Sequence, residues 1–304
     1  MEKNLVVILG PTASGKTHLA AKLAYDLQGE IISADSRQVY KNMDIGTGKD
    51  LNQYIINDRR IPYHLIDIVA PESEFNLFEF QNRFYKIFSE LIEKKILPVL
   101  VGGTGLYLEA VLTGYDMPHA PKDQKLRKEL NRKSKDELQK MLLALKPHLH
   151  NKTDLEDPER LIRAIEIERA RGIKDQDQDQ GEKPDIDAVV FGIRWERSTL
   201  RQRITVRLKE RLEHGMIEEV MNLHTAGLTW TKLESFGLEY RFISQYLQRK
   251  ITFDEMTNNL NVAIHQFAKR QETWFRRMEK KGIVINWLQS NDYSLLKESV
   301  MKIL

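Results

Sequence analysis

Short apolar runs alternate along this chain with longer amphipathic stretches. The runs at residues 4–9, 30–34, 64–68, 96–101 and 188–194 are bounded by turn-forming or polar residues and have the length of buried strands. Between them the period changes. Residues 78–94 place Phe80, Phe84, Ile87, Phe88, Leu91 and Ile92 on one helical stripe, and Leu19, Ala20, Leu23, Ala24 and Leu27 do the same after the first run. Strands alternating with helices predict an α/β fold, a mostly parallel sheet flanked by helices. In such sheets a ligand sits beyond the carboxyl ends of the strands, so chemistry is to be sought there.

The texture shifts between Pro118 and Pro184 to charged helical sequence without strand signals. This reads as a helical insertion subdomain over 118–187, leaving a core built from 1–117 and 188–304. Near its end, Lys174 to Lys183 is a polar tract too poor in apolar residues to pack, and a mobile loop is expected there. Two long helical stretches, 198–226 and 254–281, dominate the remainder.

The first apolar run stops at Gly10 and leads into Gly10-Pro11-Thr12-Ala13-Ser14-Gly15-Lys16-Thr17, a G-x-x-x-x-G-K-T pattern between a strand and a helix. Gly10 and Gly15 let the backbone curl so that successive N–H groups point at an anion. Lys16 adds a point charge and Thr17 a hydroxyl for Mg²⁺. The expected fold is therefore P-loop NTPase-like. A glycine turn that binds nothing is the alternative, but strand, loop and helix all fall where a phosphate cradle needs them.

Asp35 directly follows the second run and should project from the same sheet edge as the cradle. It can serve there as a proton acceptor, or it can cap a helix in a box with Gln38. The fourth run ends in Val101-Gly102-Gly103-Thr104, without the acidic residue that holds Mg²⁺ in ATP-hydrolysing P-loop enzymes, which points away from phosphoryl transfer. Gly102 and Gly103 would let a substrate approach the backbone, and Thr104 offers a hydroxyl at the start of a helix, unless Gly-Gly-Thr is an ordinary strand-to-helix turn. Arg203, Arg207 and Arg211 repeat beside the apolar stripe Leu200, Ile204, Leu208 and Leu212. They form either a solvated face or a guanidinium partner for an anionic leaving group.

Charge changes the picture only regionally. With 47 basic and 44 acidic residues the formal net charge is +3, but residues 122–135 hold seven Lys or Arg against two acids, and 263–281 six against two. Both runs resemble nucleic-acid surfaces. Phe267, Trp274 and Phe275, which interleave with the second, are expected mainly in the core. The chain has no cysteine, which excludes disulfides, thiolate metal sites and cysteine nucleophiles. With no long apolar segment and no room for a targeting peptide before the first strand, a cytoplasmic protein without membrane contact is expected.

The blocks Gly10–Thr17, Ile31–Tyr40, Met43–Lys49, His64–Ile68, Val101–Tyr107 and Lys269–Arg277 together resemble the tRNA dimethylallyltransferase, or tRNA isopentenyltransferase, family. The resemblance implies that the N6 amine of the adenosine 3′-adjacent to the tRNA anticodon attacks C1 of dimethylallyl diphosphate and expels diphosphate. It implies Asp35 as proton acceptor, supported by Thr104. Ser14, Lys16, Thr17 and Arg207 would neutralise the diphosphate, with Mg²⁺ assisting. For tRNA contact it points to Asp35, Ser36, Arg37, Gln38, Thr104, Arg127, Asp157, Pro158, Glu159, Arg160, Arg163, Gly237 and Arg241. The expected partners are dimethylallyl diphosphate and the tRNA anticodon stem-loop, with the chain acting as a monomer. Two departures from the family pattern, Phe236-Gly237-Leu238 and Ile264-His265-Gln266, are expected to lie away from the cradle and Asp35. The alternatives are a small-molecule P-loop kinase, a prenyltransferase for free adenine nucleotides, and an RNA-binding protein with an inactive site.

Overall fold

The computed structural model describes residues 3–118, 120, 122–146, 157–172, 183–290 and 292–304. Two compact units separate. One is formed by Met1–Gly114 with Pro184–Leu304, the other by Tyr115–Lys183. Most of the polar tract expected to form a mobile loop, residues 174–182, lies outside the described residues.

In the larger unit the order is β1 (Leu5–Leu9), α1 (Lys16–Asp26), β2 (Glu30–Ala34), a small hairpin of β3 (Ile55–Ile56) and β4 (Arg59–Arg60), and β5 (Tyr63–His64). Then come α2 (Leu77–Glu93), β6 (Pro98–Gly102) and α3 (Gly105–Leu112). The smaller unit holds α4 (Gln124–Leu130), α5 (Lys135–Leu145) and α6 (Pro158–Gly172). The chain returns through β7 (Ala188–Arg194), α7 (Arg197–Glu213), α8 (Met216–Thr225), α9 (Trp230–Ser235), α10 (Leu238–Leu247), α11 (Phe253–Lys280), β8 (Asn286–Gln289) and α12 (Tyr293–Met301).

Six strands form one sheet in the order β5-β2-β6-β1-β7-β8, with every neighbouring pair parallel. Its central strands are buried on both faces, and alternation sorts their side chains. Leu5, Val7 and Leu9 pack with Phe80, Phe84, Phe88, Phe275 and Met278 on one side. Val6 and Ile8 pack with Leu19, Leu23, Leu296 and Val300 on the other. A further core joins α7, α8, α10 and α11 through Leu200, Ile204, Leu208, Met216, Tyr240 and Leu260. In the smaller unit Leu126, Leu130, Leu138, Leu142, Leu161 and Ile165 make a core of their own. Among the described residues no helix is long and apolar enough to cross a membrane.

Several expectations need correction. The run at 64–68 is a strand only at its start, because Leu65 and Asp67 take positive φ values of 62° and 56° and leave the ladder. The stretch 198–226 is two helices, broken where Gly215 takes a φ of 95°. Ile92 faces water on α2, which the shorter stripe of Phe80, Phe84, Phe88 and Leu91 buries. Strand β8 and the β3–β4 hairpin were not foreseen. β8 is an edge strand with only Leu288 fully buried, so its apolar signal is weak.

Phe84 is fully buried in α2, with Phe80 and Phe88 stacked beside it at centroid distances of 6.3 and 5.8 Å. Phe84→Ala is expected to cost about 3–5 kcal/mol through lost burial and a residual cavity. Urea denaturation followed by circular dichroism measures this, and a loss below about 1 kcal/mol would contradict the packing.

Candidate active site

The glycine loop after β1 lies at the carboxyl edge of the sheet, beside the ends of β2, β6 and β7. Ala13 and Gly15 both adopt left-handed backbone, with φ of 61° and 87°, which turns the chain back on itself before α1 starts. No side chain caps that helix and its first turn carries no acid. Its leading N–H groups and positive dipole end are therefore available to an anion.

Neighbouring elements hold the loop from outside by its carbonyls. The Trp195 indole Nε1 donates to Ser14 O at 2.9 Å, and Arg203 Nε donates to Ala13 O at 2.9 Å. Arg203 also lies over the Trp195 ring, 4.5 Å from its centroid. On the inner side Lys16 Nζ donates to Pro11 O at 3.3 Å, and Arg207 Nη2 donates to Thr12 Oγ1 at 3.3 Å. Ser14 is fully buried, and its Oγ has no partner among the described residues.

Electrostatics concentrate at the same place. Burial, with help from the adjacent Arg207, brings the Lys16 ammonium down to about 8. Burial and the nearby Arg211 bring the Arg207 guanidinium down to about 10. These cations stand close to one another, partly screened from water on the cavity wall, a configuration that an incoming anion relieves.

A cavity of about 560 Å³ opens beside the loop. Thr12, Lys16 and Thr17 line it together with Asp35, Thr104 and Arg207. Asp35 does not cap a helix. Its Oδ1 accepts from the Arg37 N–H at 2.9 Å in a turn, and residues 36–39 remain non-helical. Thr104 occupies the N-cap position of α3 without capping it. Its Oγ1 instead accepts from the Ser36 N–H at 3.2 Å, and its own N–H donates to Ala34 O at 3.3 Å. Thr104 thus holds the residues on both sides of Asp35.

Gly102 and Gly103 line the cavity and are also pressed by protein neighbours. A Cβ on Gly102 would lie 2.3 Å from Ala34 O, and one on Gly103 2.4 Å from Gln271 Nε2. Of the aromatic residues expected in the core, Phe275 is buried there and Trp274 packs against that core while also lining the cavity, whereas Phe267 lines the cavity. The stripe on α7 is not a solvated face. Arg203 and Arg207 reach the loop, and Arg211 reaches Asp50 Oδ2 at 3.5 Å.

The two departures also meet the site. Ile264 lines the cavity alongside Thr12 and Ala13. Gly237, at a φ of 131°, lies so close to the Arg37 guanidinium that a Cβ would come within 2.2 Å of it. Arg37 also pairs with Glu239 at 3.2 Å and lies over Phe267. Gln38 is buried between Ser33 Oγ and Gly48 O, while Arg241 is exposed on α10.

The remaining candidates belong to the smaller unit. Arg127 Nε and Nη2 donate to Glu166 at 2.7 and 2.8 Å, and Arg163 Nη1 reaches the same carboxylate at 3.3 Å. Burial pushes the Glu166 carboxyl up, but Arg127 and Arg163 outweigh it and hold it below its usual value. Asp157, Pro158, Glu159 and Arg160 are exposed at the start of α6, where Asp157 Oδ1 accepts from the Glu159 and Arg160 N–H groups.

Gln271, Asp50, Gln53 and Glu239 line the cavity and were not singled out from sequence. Of these only Gln271 stood within a quoted block, Lys269–Arg277, and its one polar side chain at buried helical spacing was the available signal.

A parallel sheet with this loop defines a P-loop NTPase-like protein, with cations lining the cavity beside the loop. The family described as IPP transferase matches residues 38–278. The chain is 55% identical to "tRNA dimethylallyltransferase 1" of Syntrophus aciditrophicus (strain SB) over 300 residues, covering 99% of this chain and 98% of that one. The crystal structure of the tRNA isopentenylpyrophosphate transferase from Bacillus halodurans is similar with a TM-score of 0.68 and 32% identity, covering 100% of this chain and 94% of that one. A eukaryotic dimethylallyltransferase acting on tRNA shares the fold, with a TM-score of 0.76, 23% identity, and coverage of 96% and 75%. This chain belongs to the IPP transferase family, that of the tRNA dimethylallyltransferases.

With Lys16 at about 8, most of its side chain is neutral in the free protein at about pH 8.5. A bound anion favours the charged form and raises that value, so proton uptake must accompany binding. Titration calorimetry in buffers of different ionisation heat, using an organic diphosphate already fully ionised at that pH, should show uptake of up to about three quarters of a proton. Lys16→Met should abolish the uptake. Equal uptake in both proteins would contradict the assignment.

Proposed function

We propose that the chain transfers a dimethylallyl group from dimethylallyl diphosphate to N6 of the adenosine 3′-adjacent to the tRNA anticodon, releasing diphosphate. The reading is carried by one juxtaposition: a cationic cradle and a carboxylate, clipped in place by Thr104, line the same cavity. Family membership supplies the reaction class.

In this reading the diphosphate lies along residues 10–17 of the loop. The N–H groups there, Lys16 and Arg207 stabilise the charge that grows as the C1–O bond breaks, which lowers the barrier more than it strengthens substrate binding. Asp35 accepts the proton from N6 as the N6–C1 bond forms, so the amine attacks without becoming a stable cation. The target adenosine must leave its base stack to bring N6 into the cavity.

The Thr17 hydroxyl is a hard oxygen donor on the cavity, the type that Mg²⁺ accepts alongside substrate phosphates. When bound, Mg²⁺ would supply further positive charge to the departing diphosphate.

For RNA grip we assign Asp35, Ser36, Arg37 and Gln38 at the cavity, with Gly237 placing Arg37, and Arg241 on the outside of α10. On the smaller unit Asp157, Pro158, Glu159 and Arg160 form an exposed start to α6. Arg127 and Arg163 act by bracing Glu166, so their contribution is to shape that surface as well as to charge it. The chain is proposed to work as a monomer in the cytoplasm.

Asp35→Asn should reduce the single-turnover rate of tRNA prenylation by about 10²- to 10⁴-fold. Affinity for an organic diphosphate should stay nearly unchanged, because the cradle is intact. Lys16→Ala should weaken both binding and rate. Full turnover in Asp35→Asn would remove the carboxylate from its role.

A further inference from the structure

Gln271, on α11, spans two loops that follow different strands. Its Oε1 accepts from the Thr12 N–H at 2.8 Å, and its Nε2 donates to Gly103 O at 2.8 Å. The side chain is only 7% exposed, so both bonds are formed largely out of water. The amide is tightly enclosed: its Nε2 lies 2.4 Å from where a Cβ on Gly103 would sit, so a side chain at 103 would have to displace it.

Gly103 precedes Thr104, which bonds to Ala34 O with its N–H and to the Ser36 N–H with its hydroxyl. A continuous hydrogen-bonded path therefore runs from Thr12 in the phosphate cradle through Gln271, Gly103 and Thr104 to the two residues flanking Asp35. The strands alone do not fix this spacing, because the loops leaving β1 and β6 are free of ladder bonds beyond Leu9 and Gly102.

We infer that Gln271 is a positioning residue that sets the separation between the leaving-group cradle and the Asp35 carboxylate. This rests on the prenyl-transfer reading above and deepens it. Nucleophile and leaving group must be aligned along one line through C1, so a shift of either anchor by a fraction of an ångström lowers the rate of transfer without removing either binding contact. A glutamine suits this task because its planar amide donates at one atom and accepts at another, and matches one N–H and one C=O at a fixed distance.

The test uses the full chain. Gln271→Met keeps the side-chain length and removes both hydrogen bonds. Gly103→Ala keeps Gln271 and displaces its amide. Each should lower the single-turnover rate of tRNA prenylation by about a hundredfold, while the dissociation constant for an organic diphosphate changes less than about threefold. In Gln271→Met combined with Thr104→Val the loss should be far smaller than the product of the single losses, because both act along one path. Backbone hydrogen exchange at Ser36 should accelerate in Gln271→Met, a readout that needs no reaction.

Accelerated exchange at Ser36 in a protein whose unaltered form does not prenylate tRNA would leave the path standing and overturn the functional reading. Normal transfer in Gln271→Met, a multiplicative double variant, or unchanged exchange at Ser36 would overturn the role of Gln271. A parallel collapse of diphosphate affinity and thermal stability would overturn it as well, since Gln271 would then be a general structural support.

Discussion

Positive charge concentrated and partly screened from water at the carboxyl end of β1 is the constraint around which the rest of this structure is arranged. Arg207 lies close enough to Lys16 to weaken its hold on a proton, and Arg211 does the same to Arg207. Such an arrangement is unfavourable until an anion arrives, and the protein sustains it with a large apolar sheet beneath and a ring of hydrogen bonds around the loop. Trp195 and Arg203 fasten the loop's carbonyls on one side, and Gln271 fastens the Thr12 N–H on the other. The remaining N–H groups of the cradle then face the cavity already oriented, so little reorganisation is needed when charge develops there.

The carboxylate side is built with the same economy. Asp35 stands on a turn, a conformation a single residue could leave easily, yet Thr104 holds Ala34 and Ser36 on either side of it. Farther out, Glu219 accepts from the consecutive N–H groups of Asp44, Ile45 and Gly46 and from Tyr240. Lys49 is buried among Tyr40 O, Asp44 and Asp67. These contacts explain why the Met43–Lys49 block, which carries no obvious chemistry, belongs to the site: it forms the wall through Gly46, Thr47 and Gly48.

How much of this was legible in the sequence depended on how local each signal was. The glycine loop declares itself because its strand, turn and helix are contiguous, and the central strands do so because they are apolar throughout. Positions decided by distant contacts were harder to read. Gly102 and Gly103 line the cavity as read, but their close approach to Ala34 and Gln271, remote in the chain, left no local trace. Phe267 and Trp274 share a helical face with Phe275, and only tertiary packing separates the two that line a cavity from the one that is buried. Ile264 was placed away from the cradle for the same reason. The edge strand β8 and the early exit of the chain after His64 were missed because half-exposed strands and left-handed residues at Leu65 and Asp67 leave no periodic trace.

The central claim is that the cradle holds a diphosphate as it departs while a neighbouring carboxylate prepares an amine. The most direct measurement is mass spectrometry of nucleosides from unmodified tRNA after incubation with this protein, dimethylallyl diphosphate and Mg²⁺, with diphosphate release followed in parallel. Prenylated adenosine beside the anticodon, formed in step with one diphosphate per transfer, is the predicted result. Unaltered tRNA together with ATP consumption and a phosphorylated small molecule would contradict it.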